Sequence, residues 1–388
     1  MTFKSSIQRE LDQIYQLVCD SDVPLREVSK SAFSQARSNI DPEVFINLNK
    51  TASSSFYKNA DFFTWSGMRL LGIDGSTLGL PNHPSNTQAF GSHGFGPHAD
   101  SNRTLARVSL LYDVLNQVTL DSQMAPYASH ELDMFSQHLS CLLPCDLVLM
   151  DRGYSAIWVL FALKARQVNF CVRMRENWWH EAKSFLESGE NNRVVDFSLP
   201  QKDWHKLENY PQWQEQKITC RLVRVELGEG KTEILCTSLL DEQMHPTDSF
   251  KELYHQRWKE EEAFKMLKSR MNIEQFSGKT ERAVRQDFHA KVLTMTLCAI
   301  YAFPVQERID AENKTDKKRK HPKQINKTNA MANTYQLIRK ASVSSWLGVI
   351  FDTFDKVIRS TTEIVRLNRN LPRKHKPRKI HPPNYKPI

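Results

Sequence analysis

The chain lacks the features that usually identify a zinc protein, a disulfide-bonded secreted protein or a membrane protein. It has only seven cysteines in 388 residues, and the closest pair, Cys141 and Cys145, does not have the spacing of a zinc site. No signal peptide is recognisable, and the apolar run at residues 292–303 is too short to span a membrane and is typical of a buried helix. We therefore expect a cytoplasmic protein with no membrane partner.

Positive charge is spread unevenly along the chain, whose net charge is +9. Residues 366–388 carry eight Lys or Arg and no acid, and residues 314–327 carry seven with one Asp. The basic residues thus form separable segments, as expected of arms that neutralise DNA phosphates, although a solubilising tail has the same composition. The residues that we predict to contact DNA here are Lys317, Lys318, Arg319, Lys320, Arg373, Lys374, Lys376, Arg378 and Lys379.

The most informative segment runs from residue 254 to residue 268. Its charged and phenolic side chains are spaced at offsets of three, seven and fourteen residues, namely Tyr254, Arg257, Glu261 and Lys268. On a helix at 100° per residue, these four side chains fall within an arc of about 60°. An apolar stripe that can face a core adjoins them, formed by Leu253, Ala263, Phe264, Leu267 and Met271.

A carboxylate flanked by a phenol, a guanidinium and an ammonium suits a site that holds a metal ion beside phosphates. The simpler alternative is a solvated helix with charge pairs four residues apart. Such pairs could be supplied by the remaining charged residues, Lys259, Glu260, Glu262 and Lys265.

Two aspartates follow short apolar segments upstream. Residues 70–73 predict a strand that ends on Asp74, and residues 147–150 predict a second strand that ends on Asp151. Between them, the pattern predicts strands at residues 105–112 and 114–124 and a helix at residues 129–143. Each aspartate alone could be an ordinary turn residue at a strand end, but together with Glu261 they indicate a carboxylate site.

These residues resemble the three acidic blocks of DDE transposases, specifically the bacterial insertion-sequence group named after insertion sequence four. The blocks are Asp74 in its strand, Asp151 followed by Arg152-Gly153-Tyr154, and the spaced pattern around Glu261. The resemblance covers residues 65–279 and includes the segments 170–175 and 234–241, with no departure from the acidic triad.

The resemblance implies an α/β fold of the RNase H-like type, a mixed five-stranded sheet with flanking helices, in which Asp74, Asp151 and Glu261 are catalytic and bind metal. Two hard cations about 3.5–4 Å apart need oxygen ligands, which carboxylates supply without Cys or His. We expect two Mg²⁺ ions, with Mn²⁺ as a substitute. Tyr254, Arg257 and Lys268 are expected to contact the DNA backbone beside the cut.

Residues 177–231 exceed what one helix and one strand require and are predicted to form a β-rich insertion. Residues 194–199 and 218–227 alternate as strands do, with a hairpin turn at 228–230. In related enzymes an insertion at this place helps to grip a hairpin formed on the DNA end. Candidates to stack on a displaced base are Trp178, Trp179, Trp204 and Trp213, although these tryptophans could equally pack the insertion.

The first sixty residues are predicted to form a small helical unit, with helices at residues 7–19 and 29–40. In the second helix, side chains of the kind that contact phosphates or base edges could reach a DNA groove; they are Lys30, Ser34, Gln35 and Arg37. Packing of this unit onto a catalytic domain is equally compatible with the pattern.

The predicted organisation is a helical region at 1–60, a catalytic domain at 61–176 and 232–300, the β-rich insertion at 177–231, a helical region at 301–365 and a basic, proline-rich tail at 366–388.

The favoured function is cut-and-paste transposition: binding of double-stranded DNA at terminal inverted repeats, pairing of the ends by a homodimer in a synaptic complex, cleavage and transfer to target DNA, at the bacterial nucleoid. The alternative is an inactive or repurposed relative that binds DNA without cutting it. The intact triad favours the first.

Overall fold

The computed structural model of the chain describes residues 6–94, 102–175, 179–228, 231–316, 320–343 and 346–366. Three helices open the chain: α1 (Ile7–Val18), α2 (Lys30–Ser38) and α3 (Glu43–Asn59). The first two begin where serine side chains accept hydrogen bonds from backbone N–H groups, since Ser6 caps α1 and Ser29 caps α2. Both predicted N-terminal helices are therefore present.

Within the described residues, the main sheet has nine strands: β1 (Leu70–Gly79), β2 (Ser92–His93), β3 (Arg103–Asp113), β4 (Thr119–Pro126), β5 (Leu147–Met150), β6 (Asn169–Arg173), β7 (Asn192–Ser198), β8 (Lys217–Gly228) and β9 (Lys231–Thr237). Their order is β2-β3-β1-β5-β6-β9-β8-β7, with β4 also paired to β3. Strand β5 runs parallel to both β1 and β6, whereas β9 is antiparallel to β6.

The five strands β4-β3-β1-β5-β6 have the order of the RNase H-like sheet, which confirms the predicted α/β class. The sheet is larger than the predicted five strands because β9, β8 and β7 continue it beyond β6 through antiparallel pairing, and β2 pairs with β3. The β-rich segment is thus an extension of the central sheet.

Helices follow or separate these strands, in the order α4 (Pro84–Phe90), α5 (Glu131–His138), α6 (Ile157–Ala165), α7 (His180–Ser188), α8 (Ser249–His255), α9 (Trp258–Lys265), α10 (Glu281–Thr315), α11 (Lys327–Ala341) and α12 (Leu347–Ser360). A small ladder pairs β10 (Lys323–Gln324) with β11 (Glu363–Ile364). Helix α6 is apolar on nearly all sides because it packs in the core, where residues 158–163 are buried.

Helix α10 is long and apolar enough to cross a membrane, but 67% of its most apolar window is buried inside the protein. Burial of this kind is typical of a core helix. It agrees with the prediction that residues 292–303 belong to a buried helix.

The contacts divide the chain into two compact units, one comprising Met1–Ala60, Leu78–Ala106 and Met266–Ile388, and the other Asp61–Thr77 and Arg107–Lys265. This grouping cuts across the predicted domain boundaries. In the first unit, α3 packs along α10, with the Phe56 ring edge-on to Phe303 at a centroid distance of 5.0 Å, so the N-terminal helices share a core with the C-terminal ones. All three acids of the triad belong to the second unit.

Candidate active site

The parallel register between β1 and β5 places the two aspartates side by side. The last paired residues are Ile73 and Met150, and the next residue on each strand is Asp74 or Asp151. Because parallel strands end at the same edge, both carboxylates lie at that edge of the sheet. A bidentate ion pair between Arg69 and Asp146, with N···O distances of 2.7 and 2.6 Å, brackets the other end of the paired segment.

One predicted detail is wrong: β1 does not end on Asp74 but continues to Gly79. The strand continues past Asp74 because its other edge is bonded to β3 and the residues that flank it, beyond the last residue paired with β5. The Val114 N–H donates to the Leu70 carbonyl at one end, and the Leu80 N–H donates to the Thr104 carbonyl at the other. Asp74 therefore lies within a strand, whereas Asp151 follows one.

Backbone amides fix the orientation of both aspartates. One Asp74 oxygen accepts from the Gly75 N–H at 2.8 Å, and one Asp151 oxygen accepts from the Gly153 N–H at 2.7 Å. Burial raises the pKa of Asp74 to about 6; the Gly75 N–H and Arg257 oppose this rise, while Asp151 and Glu261 add to it. Asp151 and Glu261 are thus each close enough to Asp74 to disfavour its charge electrostatically.

The segment that was predicted as one straight helix is broken at Arg257. Helix α8 ends at His255 and α9 begins at Trp258. Between them, the Arg257 N–H donates to the Tyr254 carbonyl, as in a tight turn. The segment Met266–Arg270, which contains Lys268, is a π-helix. The break and the wider turn both change the direction in which the later side chains point around the helix axis. The arc calculated for the four side chains on an ideal α-helix therefore does not apply.

Tyr254 is buried, and its hydroxyl donates to the Met150 carbonyl at 3.1 Å. Burial raises the pKa of this phenol far above its ordinary value, so the phenol remains a neutral donor. A phosphate contact by Tyr254 does not fit this environment. Tyr254 instead ties α8 to the residue that precedes Asp151.

Arg257 lies only 6% exposed, with its guanidinium over the rings of Tyr254 and Trp258 at 5.8 Å from each centroid. Its terminal nitrogen lies 3.1 Å from a carboxylate oxygen of Glu261. Arg257 thus holds the third acid of the triad directly. Lys268 is exposed in its π-helical segment, where the prediction of a phosphate contact is neither supported nor contradicted.

Glu260, which the simpler alternative of a solvated helix would have placed in an exposed charge pair, does not lie on a solvated face. The Glu260 side chain is fully buried. Neither carboxylate oxygen accepts a hydrogen bond from the described residues. The backbone N–H of Asp74 nevertheless lies near enough to favour the ionised form of Glu260. Burial, followed by the charge of Asp74, raises the pKa of Glu260 well above its usual value. The signal was available, since Glu260 lies four residues before Phe264 and seven before Leu267, inside the apolar stripe.

Space for Glu260 exists because residue 72 is glycine. A Cβ atom there would lie 2.6 Å from a Glu260 carboxylate oxygen. Any larger residue at position 72 would have to displace the buried carboxyl.

Glu131, at the start of α5, is a second acid that the sequence did not single out. A Cβ atom added to Gly75 would lie 3.4 Å from a Glu131 carboxylate oxygen, and one added to Gly153 would lie 3.2 Å from the other oxygen. The Glu131 carboxylate also forms an ion pair with Arg107 at 2.8 Å. Within the described chain, the buried Tyr154 hydroxyl has no hydrogen-bond partner. Burial, followed by the charges of Glu131 and Glu260, raises the pKa of Tyr154 well above its usual value.

The donor set fits a hard divalent cation, since carboxylate oxygens lie near one another here without Cys or His. A cation would favour the charged form of Asp74, whose pKa is raised by burial and, to a smaller degree, by Asp151 and Glu261. As the described side chains lie, no three His, Cys, Asp or Glu stand close enough to hold one ion together. One oxygen of Glu261 is instead directed at Arg257.

Most of the predicted DNA-contacting cations lie outside the described residues, namely Lys317, Lys318, Arg319, Arg373, Lys374, Lys376, Arg378 and Lys379. Lys320 is described and exposed. Of the tryptophans, Trp178 lies outside the described residues, and Trp179 is buried edge-on to Phe197 with a centroid distance of 4.7 Å, so it packs the fold. Trp204, which donates to the Leu199 carbonyl, and Trp213 are partly exposed.

Arg37, which was predicted to be exposed, is buried instead. Its guanidinium donates to Gln286, Ser277 and Asp287 side chains and to the Ala283 carbonyl. It therefore fastens α2 to α10 and cannot reach a DNA groove. Lys30, Ser34 and Gln35 are exposed, as predicted.

Comparison with protein families matches residues 65–297 to the transposase DDE domain family. The match covers more than half of the chain, which therefore belongs to this family. A relative in Escherichia coli K12, the transposase InsG for insertion sequence element IS4, is 23% identical over 310 residues, 77% of this chain and 67% of the relative. These two matches confirm the predicted group.

Among solved structures, the cryo-EM structure of the piggyBac transposase synaptic complex with hairpin DNA is 14% identical with a TM-score of 0.41, and the alignment covers 90% of this chain and 70% of that one.

Proposed function

We propose that the chain is a cut-and-paste transposase that binds the terminal inverted repeats of its insertion sequence, cleaves the DNA at their ends and joins those ends to target DNA. The observation that carries this proposal is the β1–β5 register, which sets Asp74 beside Asp151 within electrostatic range of Glu261. Family membership supplies the reaction class. We place its action at the nucleoid in the bacterial cytoplasm.

Asp74, Asp151 and Glu261 would hold the divalent cations, Mg²⁺ or Mn²⁺, for which the carboxylate donor set is suited. When bound, two such ions supply Lewis acidity to an in-line phosphodiester displacement. The Gly75 and Gly153 amides keep one oxygen of each aspartate in place and leave the other oxygen for a ligand. Arg257 restrains Glu261 at the facing helix.

The DNA backbone would be bound by the exposed cations Lys268 and Lys320 together with the basic segments at 314–327 and 366–388. Cleavage of two ends and their joint transfer require that the ends be paired, so we propose that a homodimer forms the synaptic complex. In this proposal Lys268 approaches a DNA phosphate, whereas Arg257 orients the carboxylate of Glu261.

The test is cleavage of duplexes that carry the DNA ends flanking the gene, with Mg²⁺ present. Asp74→Asn, Asp151→Asn and Glu261→Gln should each abolish cutting and leave duplex binding largely intact, since each removes a charged oxygen ligand. Glu262→Gln, an exposed neighbour on α9, is the matched control and should cut at the normal rate.

Substantial cutting by one of the three variants would remove that residue from the ligand set. A wild-type protein that binds the repeats but never cuts would point to the alternative, a repurposed DNA-binding relative.

A further inference from the structure

A row of three buried polar side chains leads to the backbone of Asp74. His138, at the end of α5, lies with Nδ1 2.8 Å from Asp121 Oδ2 on β4 and with Nε2 2.9 Å from Ser109 Oγ on β3. Ser109 Oγ lies 3.2 Å from the Asp74 carbonyl oxygen. Ser109 and His138 have no exposed surface, and Asp121 is 4% exposed.

The single hydroxyl proton of Ser109 decides which atom donates and which accepts at each hydrogen bond of this row. Ser109 has one hydroxyl proton, so its donation to the Asp74 carbonyl requires that Oγ accept from His138 Nε2–H. Donation from both ring nitrogens requires the doubly protonated ring, in which Nδ1–H donates to Asp121 while Nε2–H donates to Ser109. Asp121 also accepts from Gln123 at 2.6 Å. Although burial alone would raise it, the pKa of Asp121 lies below its ordinary value because His138 and Gln123 donate to the carboxylate.

A Ser-His-Asp row is also the arrangement of hydrolases that use a serine nucleophile. Here that role is excluded, because Ser109 has no surface that a substrate could reach and its hydroxyl is directed at the protein backbone. A buried polar row whose members are all bonded instead holds its neighbours in one arrangement.

We propose that Asp121, His138 and Ser109 are positioning residues that hold the β1 backbone at Asp74, so that its carboxylate stays in place beside Asp151. The parallel pairing of β1 with β5 ends at Ile73, so Asp74 lies one residue beyond it, where the Ser109 hydroxyl supplies a further anchor. The inference rests on the proposed function and names three residues outside the acidic triad.

Ser109→Ala tests the proposal with a small change that leaves the other two members in place, and Asp121→Asn provides a second variant of unchanged shape. Two quantities are measured: the affinity for Mn²⁺, from the electron paramagnetic resonance signal of the free ion, and the single-turnover rate of end cleavage at saturating Mg²⁺. Groups that orient metal ligands typically alter metal affinity about 10- to 100-fold when removed. We expect a weakening of Mn²⁺ binding by about tenfold and a loss of cleavage rate of at least that size.

Thr237→Val is the matched control. The Thr237 hydroxyl is also fully buried and donates to a strand carbonyl, that of Phe170 at 2.7 Å, but on β9 instead of beside Asp74. It should shift the denaturant midpoint about as much as Ser109→Ala does while leaving Mn²⁺ affinity and cleavage rate at the wild-type values.

Equal effects of Ser109→Ala and Thr237→Val on Mn²⁺ affinity and rate would overturn the positioning role. So would wild-type behaviour of both Ser109→Ala and Asp121→Asn. A wild-type protein that neither binds Mn²⁺ nor cuts would instead overturn the proposed function, so the two failures are distinct.

Discussion

Asp74 carries a charge that the folded protein disfavours. Its pKa is about 6 in the folded state against a usual value of 3.8, with burial as the main cause and the neighbouring acids as a further one. Between these two pH values the folded state binds more protons than the unfolded state. Stability is therefore lost as the pH rises through that interval, and the cost is complete above pH 6.

In the absence of divalent metal, we expect Asp74→Asn to be more stable than the wild type above pH 6, by up to about 3 kcal/mol at roughly 1.4 kcal/mol per pKa unit. The advantage should shrink as the pH falls towards 4, where the wild-type carboxyl is neutral as well. Denaturant unfolding in chelator across pH 4–8 measures it. A stability difference that does not change with pH would contradict the assigned environment, and Glu262→Gln should show no such pH dependence.

Magnesium should reverse part of this cost at the same residue. At pH 8, added Mg²⁺ should raise the free energy of unfolding of the wild type, because a ligand that binds only the folded state stabilises it. Asp74→Asn should gain much less. An equal gain in both proteins would show that the ion binds elsewhere.

At the scale of elements, the break between α8 and α9 separates the roles of the residues in the pattern Tyr254, Arg257, Glu261 and Lys268. Tyr254 and Arg257 are buried and hold β5 and Glu261, respectively, whereas Lys268 is exposed on the π-helical segment. A wide turn there alters which way each following side chain points. The buried members of the pattern therefore arrange the acids, and we propose that Lys268 approaches DNA.

We expect Lys268→Ala to retain Mg²⁺ binding and Arg257→Ala, which removes the partner of a proposed metal ligand, to weaken it. Both variants should lose about a hundredfold in end cleavage, the penalty typical of a misplacement of roughly 1 Å. Arg257→Ala frees Glu261, while Lys268→Ala removes the proposed phosphate contact. Single-turnover cleavage at physiological salt measures both, with the exposed Lys265→Ala as the control. Normal cleavage rates in both variants would show that neither Arg257 nor Lys268 contributes to cleavage.

Helix α2 is joined to α10 by the buried Arg37, whose ion pair with Asp287 measures 3.1 Å. Arg37→Ala should lower the free energy of unfolding by about 3–5 kcal/mol, because it leaves Asp287 charged and buried. Chemical denaturation measures the loss. Gln35→Ala, exposed on the same helix, should cost almost nothing, and equal stability of both variants would argue against the packed arrangement.

At the scale of the whole molecule, the basic tail is the clearest consequence of the uneven charge, although residues 367–388 lie outside the described structure. Deleting residues 366–388 should weaken binding to all DNA sequences and flatten its salt dependence, since each lost phosphate contact lowers the slope by about 0.9 for duplex DNA. Preference among sequences should persist. An unchanged plot of log K against log salt would leave the tail a solubilising segment.

Much of the fold followed from local patterns. The apolar run before each aspartate forms a strand, and the N-terminal periodicity forms helices, because alternation and helical spacing act over a few residues. The three acids were predicted in the same way, through motif spacing. Strands β7 and β8 were predicted too, but the size of the central sheet was underestimated, because they join it through the pairing of β9 with β6, which links residues far apart in the chain.

The sequence by itself determined the family and the class of fold, and it predicted the three acids and the basic arms, since each is encoded in residue type and spacing. Only the tertiary structure decided that Tyr254 faces Met150, that Arg37 is buried, that Glu260 lies in the core and that Ser109 reaches the Asp74 carbonyl. These facts join residues far apart in the chain. Burial and hydrogen-bond partners arise from packing between distant segments, which a one-dimensional pattern does not contain.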